Sequence, residues 1–163
     1  MERKNGEHPF GDTGQVILFL CFMVLWIGDS FFLRGSTFLS SYIPLWVRLS
    51  IMILALGIAV ALAKSGHVVV SHDHPPAGVL SSGAFRYVRH PLYLASLLFY
   101  VGLAVSTACL FSMGLLLIIF FFYDFIAGYE ERLLEQKYGE DYRHYKRATG
   151  RWLPNFRSTG TKA

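Results

Sequence analysis

A run of 33 residues, Pro91–Tyr123, contains no charged side chain and has dense polar chemistry at both ends. A single helix of that length would extend about 50 Å, far more than the ~30 Å hydrocarbon core of a bilayer. The run is therefore better explained as two short membrane spans folded into a hairpin. We predict that the turn of this hairpin lies near Ser106–Ser112.

The fold-back determines which charged residues meet. Glu130 and Glu131 follow the second arm of the hairpin, and Arg89 and His90 precede the first arm. Folding back brings both pairs to the same membrane face. Two charged clusters that are distant in sequence are therefore predicted to form one site at that face.

The composition indicates an integral membrane protein. Of the 163 residues, 53% are hydrophobic, and the mean hydropathy is +0.41. We predict a single all-α membrane domain over residues 1–163, with about four transmembrane helices and a cytoplasmic helical C-terminal tail. The spans before the hairpin are Val16–Leu33 and Pro44–Ala63. The first of these is too long and too late in the chain for a signal-peptide core.

Basic residues predict the orientation in the membrane. With four spans, the N-terminal segment, the loop between spans two and three and the C-terminal tail share one side. That side carries 13 of the 15 Lys and Arg residues, so the positive-inside rule places it, with both termini, in the cytoplasm. The basic tail is also compatible with binding to anionic membrane lipids. We expect membrane lipids as partners, and no nucleic acid.

Span one contains an ionisable residue, Asp29, about one helical turn from Arg34. An acid within a span is a functional candidate by default. Near the end of a span, however, an interfacial ion pair with Arg34 is the favoured interpretation. Cys21 and Cys109 lie in apolar runs without metal-binding spacing, so we interpret both as packing residues.

The segment Lys64–Ser82 is predicted to be a polar loop. It carries three histidines and an acid, which are His67, His72, Asp73 and His74. His-x-His with an acid suggests a metal, whereas the following Pro-Pro pair favours an extended solvated loop. Because neither a second ligand cluster nor a rigid helix accompanies the histidines, we predict no metal site.

The second arm of the hairpin is predicted to continue out of the membrane as a helix that ends at the C-cap Gly139. A second short helix, Glu140–Ala148, is predicted to follow it. Tyr142 and Tyr145 are three residues apart and therefore share one face of this helix.

The segment Arg89-His90-Pro91 opens span three. Proline suits the first helical turn, and the free N–H groups and positive dipole end of that helix would form an anion site beside Arg89 and His90. The ordinary alternative is that Arg and His merely flank a span on its positive side.

Glu130 and Glu131 gain nothing from the positive-inside rule at the exit of span four. They could form a solvated ion network with Arg132, Arg143 or Lys146. They could instead accept hydrogen bonds from an amine or from ribose hydroxyls. An anion-binding helix end that faces a carboxylate suits a zwitterionic ligand.

Two motifs resemble those of a known superfamily. The first is Ser82–Tyr93, SGAFRYVRHPLY; the second is Glu130–Leu134, EERLL, followed by YGEDYRHY at 138–145 and RWLP at 151–154. Together, in this order and across a charge-free hairpin, they resemble the isoprenylcysteine carboxyl methyltransferase and phospholipid methyltransferase superfamily. The resemblance covers residues 64–156, which it implies to be the cofactor-binding core, whereas residues 1–63 match only as two generic spans.

The resemblance implies a membrane methyltransferase that uses S-adenosylmethionine and a lipophilic or lipidated acceptor. The residues it implies at the cofactor are Ala77, Gly78, Val79, Leu80, Phe85, Arg89, His90, Pro91, Leu92, Tyr93, Glu130 and Glu131. No catalytic residue is assigned, because methyl transfer from a sulfonium depends mainly on positioning and on exclusion of water.

The chain departs from the prenylcysteine enzymes at one position. Those enzymes carry an arginine, about one helical turn before the glutamates, that is implicated in holding the acceptor carboxylate; here the position is Ile126, with Asp124 nearby. We predict poor activity on prenylcysteine carboxylates. Arg151 is the candidate substrate-binding substitute, and an amine headgroup, a thiol or another lipophilic acid stays open as the acceptor.

Two other functions are compatible with the sequence. Membrane sterol and steroid reductases have a similar C-terminal region and bind NADPH, although that cofactor would require more cations than Arg86 and Arg89. A non-catalytic membrane subunit that keeps the fold is the other alternative. His90 and Glu130 argue against it.

Overall fold

The computed structural model describes residues 11–72 and 78–155, and within them every element is helical. Five helices follow one another: α1 (Gly11–Ile27), α2 (Leu45–His72), α3 (Pro91–Thr107), α4 (Leu110–Tyr138) and α5 (Glu140–Ala148). A π-helical turn, Gly28–Leu33, prolongs α1, and 3-10 turns occur at Phe38–Ser41 and Gly83–Arg86. The predicted all-α membrane fold is confirmed.

Three helices are long and apolar enough to cross a membrane, at Gly11–Leu33, Leu45–His67 and Leu110–Tyr138. The shorter apolar helix α3 has 17 residues. At 1.5 Å per residue it rises about 26 Å, which is the lower end of the range for a span.

The predicted hairpin is confirmed, with its turn at Ala108 and Cys109. Ala108 adopts a left-handed conformation, with φ of 52°, and ends α3. The Cys109 sulfur then caps α4 by accepting a hydrogen bond from the Ser112 amide. Two residues are therefore enough to reverse the chain, and α4 runs back along α3.

Small residues let α2 and α3 approach closely. Ala55 and Ala59 on α2 are buried, and a Cβ at Gly102 on α3 would be only 3.5 Å from the Met52 carbonyl oxygen. Small residues at helix contacts are usual in membranes, where van der Waals packing drives association. The core between α1, α3 and α4 consists of Phe22, Leu97, Tyr100, Ala104, Ile119 and Tyr123.

The predicted ion pair between Asp29 and Arg34 is wrong. Asp29 is buried, with 3% of its surface exposed, and its carboxylate accepts hydrogen bonds from the Gly35 amide at 2.8 Å and the Ser36 hydroxyl at 2.5 Å. The Cys109 thiol donates a third, at 3.3 Å. The left-handed turn at Arg34 folds the following backbone onto the carboxylate, so Asp29 binds the loop rather than the exposed guanidinium.

The predicted loop after span two begins later than expected, because α2 continues to His72. Hydropathy indicates where the chain leaves the membrane and not where the helix ends. The helix continues beyond that point because no proline interrupts it before residue 75. Of the histidine group, Asp73 and His74 lie outside the described residues, as does Ala77. The absence of a metal site there stays a prediction.

The predicted helical tail is confirmed. Helix α4 ends at Tyr138 and is capped by Gly139. Gly139 has a φ of 57°, a backbone conformation that favours glycine. Helix α5 turns the chain back toward α3, where Val88 and Gly150 form a parallel bridge. The Arg89 amide donates to the Gly150 carbonyl at 2.9 Å. The tail is thus fastened to the residues immediately before α3.

Candidate functional site

Three segments converge at the predicted site: the start of α3, the part of α4 beyond its apolar run, and the tail after α5. Pro91 occupies the first turn of α3 and His90 is its N-cap, as the Arg-His-Pro order predicts. The hairpin brings these residues beside Glu130 and Glu131, as predicted.

Glu131 is the centre of a buried ion cluster. Only 1% of its surface is exposed. Its Oε1 atom lies 3.0 Å from Arg89 Nε and 2.9 Å from Arg151 Nε, and Oε2 accepts from Arg151 Nη2 at 3.0 Å. Lys146 Nζ is 3.6 Å from Oε2. Two guanidinium groups thus satisfy this carboxylate, which makes it an organising group of the site.

The guanidinium of Arg151 is shared between two carboxylates of α4. Its Nη1 atom donates to Asp124 Oδ1 at 2.8 Å, and the Trp152 indole donates to the same oxygen at 2.9 Å. Hydrogen bonds to Glu131 and Asp124 raise the pKa of Arg151. Arg151, considered above for an acceptor carboxylate, is therefore already engaged by two carboxylates of the protein.

Arg89 fastens the tail as well as the cluster. Its Nη1 atom donates to the Lys146 carbonyl at 2.8 Å and also to the Thr149 carbonyl. The peptide groups around α5 therefore depend on the same guanidinium that binds Glu131. Arg143, by contrast, pairs with Glu135 and Glu140 on the exposed side.

His90 is held between an aromatic ring and two carboxylates. Its ring stacks on Tyr93, with centroids 5.6 Å apart and an angle of 5°, and its side chain is only 7% exposed. Nδ1 lies 3.6 Å from Glu130 Oε2. Nε2 lies 3.4 Å from Glu131 Oε1 but makes no hydrogen bond with any group in the described chain. A buried polar atom without a hydrogen bond is a position where a ligand could supply one.

Tyr93 connects the imidazole to Glu130. Its hydroxyl donates to Glu130 Oε1 at 2.5 Å, and its ring stacks on Tyr123 with centroids 5.2 Å apart. Glu130 remains partly accessible, with 18% of its side chain exposed. Of the paired glutamates, Glu131 is therefore the internal one and Glu130 the one that a ligand can reach.

An aromatic cavity with an empty volume of about 440 Å³ lies beside this group. Residues of the predicted set that line it are Gly78, Val79, Leu80, Phe85 and Arg89. The sequence interpretation did not assign the opposite wall, which consists of Leu134, Tyr138, Tyr142 and Tyr145. The sequence predicts that Tyr142 and Tyr145 share one face of α5, but which cavity that face lines depends on how α5 packs against the rest of the protein.

A hydrogen bond joins two of the residues that line the aromatic cavity. The Tyr145 hydroxyl donates to the Phe85 carbonyl at 2.6 Å, which links α5 to the segment before α3. Burial raises the pKa of Tyr145 to about 12. The phenol therefore stays protonated and able to donate at any physiological pH.

A second cavity adjoins the first, with which it shares the lining residues Phe85 and Arg89. It is lined by Phe85, Arg89, His90, Pro91, Leu92, Tyr93 and Glu130, all of which belong to the predicted set. Glu131 and Arg151 lie behind this surface in the ion cluster. The two cavities together offer aromatic rings at one end and a histidine, a tyrosine and a carboxylate at the other, which suits a ligand with a planar ring and an ionic end.

Comparison with known proteins identifies related sequences. A family model for phospholipid methyltransferases matches residues 39–141. Two curated proteins, from Oryza sativa subspecies indica and japonica, are each described as a probable protein-S-isoprenylcysteine O-methyltransferase. Each is 28% identical to this chain over 116 residues, which represent 70% of this chain and 61% of the relative.

The alignment thus extends over less than two thirds of the relatives' length, and no solved structure gives a significant match. The family model, however, covers more than half of this chain, including the hairpin, the first motif, the EERLL part of the second motif and most of the residues around the two cavities. The chain therefore belongs to the phospholipid methyltransferase family.

Proposed function

We propose that this protein is a membrane methyltransferase that transfers a methyl group from S-adenosylmethionine to a lipophilic acceptor. The observation that carries the proposal is that the aromatic cavity and the cavity around His90 and Glu130 adjoin, with Phe85 and Arg89 in both linings. All the lining residues except Tyr142 and Tyr145 lie inside the segment that matches the family. Together the linings have the polarity that a nucleoside with an amino-acid end requires.

The residues present fit this methyl donor. Phe85, Tyr138 and Tyr142 offer aromatic surfaces for an adenine ring. Glu130 can accept from ammonium or hydroxyl groups, and the buried Nε2 of His90, which makes no hydrogen bond within the described chain, can bond to a polar group of the ligand. Ala77, predicted at the same site, lies outside the described residues.

Bound S-adenosylmethionine would supply an electrophilic methyl group on a sulfonium centre. This chain's contribution is positioning, which can account for a large part of the acceleration of such a displacement. The Glu131 cluster keeps Arg89 and the tail in place, and Tyr145 holds the segment at Phe85 against α5. We assign no catalytic base.

A nicotinamide cofactor fits less well. Arg89 is the sole Lys or Arg among the described residues that line the two cavities, and Glu131 already pairs with it. A phosphate-rich dinucleotide would need further cations. The non-catalytic alternative leaves unexplained why His90 and Glu130 border an accessible cavity.

Thermal shift of the detergent-solubilised protein tests the proposal. S-adenosylhomocysteine should raise the melting temperature and NADPH should not. The His90→Ala variant should lose most of that shift, whereas His67→Ala, which removes an exposed histidine of α2, should keep it. Stabilisation by NADPH alone would favour a reductase, and stabilisation by neither ligand would favour the non-catalytic alternative.

A further inference from the structure

Trp152 is the residue at which the tail after α5 reaches the membrane-spanning part of the protein. Its ring lies 5.7 Å from that of Phe120, at an angle of 47°, and it packs against the core between α1, α3 and α4. Its indole N–H donates to Asp124 Oδ1 at 2.9 Å. The tail therefore extends along α4, past the ion cluster of Glu131, to the end of the charge-free run.

Asp124 is the first charged residue after that run. Its neighbours Phe121 and Phe125 are 68% and 60% exposed, on a helix that is long and apolar enough to cross a membrane. An acid at the edge of an apolar span is a functional candidate and is usually paired. Asp124 accepts hydrogen bonds from two consecutive residues of the tail, Arg151 and Trp152. One carboxylate of α4 thus fixes the position of this part of the tail.

The ring of Trp152 also contacts the imidazole of His90. The two centroids are 6.1 Å apart and the rings are tilted by 42°. The His90 side chain makes no capping hydrogen bond at the start of α3, and its Nε2 atom makes no hydrogen bond within the described chain. Packing against the rings of Tyr93 and Trp152 therefore sets much of the orientation of this imidazole.

Asp124 and Trp152 are not among the described residues that line the two cavities of the site. An effect of either residue on a ligand is therefore indirect, and the contacts offer two routes. One route leads from Trp152 to His90, which lines the second cavity. The other leads from Arg151 through the buried ion cluster to Arg89, which lines both cavities.

We propose that Asp124 is a positioning residue of the methyl-donor site, which holds Trp152 against His90 and thereby orients the imidazole toward the bound ligand. This inference rests on the proposed function and deepens it. Hydrogen bonds tolerate only about 0.5 Å of variation in length, so a small shift of the imidazole is enough to lose its bond to the ligand. Groups that contact a ligand are accurate only when packing and further hydrogen bonds lock them in place.

Asp124 also has a simpler role, because its pairing with Arg151 stabilises the tail. That role predicts a lower Tm when the carboxylate is removed, and an effect on ligand binding that does not depend on His90. The proposal predicts that the effect on binding disappears when His90 is absent, because residues that act through one another are not additive. The two roles can therefore be separated.

Calorimetry with S-adenosylhomocysteine on the full chain in detergent is the first test. Trp152→Phe keeps a ring beside His90 but removes the N–H that binds Asp124, and it should weaken binding about fivefold, less than the loss of a direct bond to a charged group. In the His90→Ala background the same substitution should change binding less than about twofold. Trp26→Phe removes another partly buried indole N–H, which donates to the Leu103 carbonyl, and should leave the affinity unchanged. An equal effect of Trp152→Phe in both backgrounds, or no effect in either, overturns the proposal.

Two substitutions of Asp124 extend this test. Asp124→Asn keeps an oxygen that accepts from the indole and should retain most of the affinity, whereas Asp124→Leu removes the acceptor and should weaken binding at least as much as Trp152→Phe does. Asp141→Asn, at an exposed aspartate of α5, is the control and should have no effect. A loss of binding in Asp124→Leu without one in Trp152→Phe would show that the route through Arg151 operates, and the proposal would be wrong. If Asp124→Leu does not fold, Trp152→Phe still decides, because it keeps the pair of Asp124 and Arg151.

Spectroscopy of the ligand-free protein separates this inference from the proposed function. Selective 15N labelling of the six histidines reports their ring nitrogens, and the signals lost in His90→Ala belong to His90. Asp124→Leu should shift the His90 signals and leave those of His67 unchanged. Unshifted His90 signals overturn the inference. Failure of S-adenosylhomocysteine to bind the unaltered protein overturns the proposed function, whereas the His90 signals still decide whether Asp124 positions this residue.

Discussion

Glu131 Oε1 lies 2.9 Å from Arg151 Nε, and this contact joins the buried part of α4 to the C-terminal tail. Arg89 reaches the same oxygen from the segment before α3, at 3.0 Å. One carboxylate thus connects three segments that are far apart in sequence. The cavities of the site depend on how these segments are held together.

Removal of the charge of Glu131 should destabilise the fold. Glu131→Gln leaves Arg89 and Arg151 without their buried carboxylate, and breaking a buried pair by removing one partner costs about 3–5 kcal/mol. Thermal unfolding in detergent should show a large drop in Tm. Glu135→Gln removes a more exposed carboxylate of the same helix and should give a much smaller drop. Equal drops in the two variants would show that the cluster has no special role.

The cofactor contacts can be tested separately from stability. His90→Ala and Glu130→Gln each remove a charged or hydrogen-bonding partner, and loss of a hydrogen bond to a charged group costs about 1.5–3 kcal/mol, which is roughly a ten- to hundredfold loss of affinity. Calorimetry with S-adenosylmethionine measures this loss. His67→Ala and Glu140→Gln are the matched controls. Unchanged binding in both well-folded test variants would refute the site.

Gly150 should tolerate no side chain. A Cβ at this position would lie 1.9 Å from the Leu153 carbonyl oxygen, so the tail turn must open. Gly150→Ala should therefore break the bridge to Val88 and displace Arg151, with a lower Tm and weaker binding of S-adenosylhomocysteine. Gly114→Ala on α4, where nothing lies within 4 Å, is the control and should be neutral or slightly stabilising. A Gly150→Ala variant with unchanged Tm would contradict the tail geometry.

The Tyr145–Phe85 hydrogen bond should matter for binding at ordinary pH. Burial raises the pKa of Tyr145 to about 12, above the ordinary value of about 10. The resulting contribution to stability is fully present below about pH 10 and is lost as the pH rises through about 12. Tyr145→Phe should weaken cofactor binding several-fold, by the same factor at pH 7 and pH 9. Tyr87→Phe, at an exposed tyrosine, is the control, and a factor that changes between the two pH values would contradict this assignment.

The orientation in the membrane is predicted from charge alone. Reporter fusions after residue 40 and after residue 163 should report opposite sides, because 13 of the 15 Lys and Arg residues lie on the side assigned to the cytoplasm. Reporters on the same side would exclude the four-span arrangement. Within the described residues, the length of α3 makes it the span most in need of this test.

Local sequence determined the helices and most of their ends, the C-terminal end of α2 excepted. The charge-free run from Pro91 to Tyr123 predicted the hairpin because its length exceeds one span, and proline and glycine marked the start of α3 and the end of α4. Phe85 and the consecutive residues from Arg89 to Tyr93 are predicted at the site and line its cavities. These signals could be read from the sequence because each depends on residues within a few turns of one another.

Tertiary packing decided the partners. The sequence suggested Arg132, Arg143 or Lys146 for the paired glutamates. Lys146 does lie 3.6 Å from Glu131 Oε2, but Arg89 and Arg151 make the shorter contacts with Glu131. Burial selects among cations that look equivalent in sequence, because a carboxylate removed from water must be paired by the guanidinium groups that the fold brings to it.

Tertiary packing also decided the partners of Asp29 and the cavity that Tyr142 and Tyr145 line. Asp29 accepts a hydrogen bond from the Gly35 amide and does not pair with its neighbour Arg34, because the left-handed turn at Arg34 brings the following backbone to the carboxylate. Tyr142 and Tyr145 line the aromatic cavity only because the tail folds back onto the segment before α3. The sequence by itself determined where the chain reverses and where most helices begin and end. The tertiary structure alone decided which charge meets which, because that depends on burial and on distances between segments that no local pattern records.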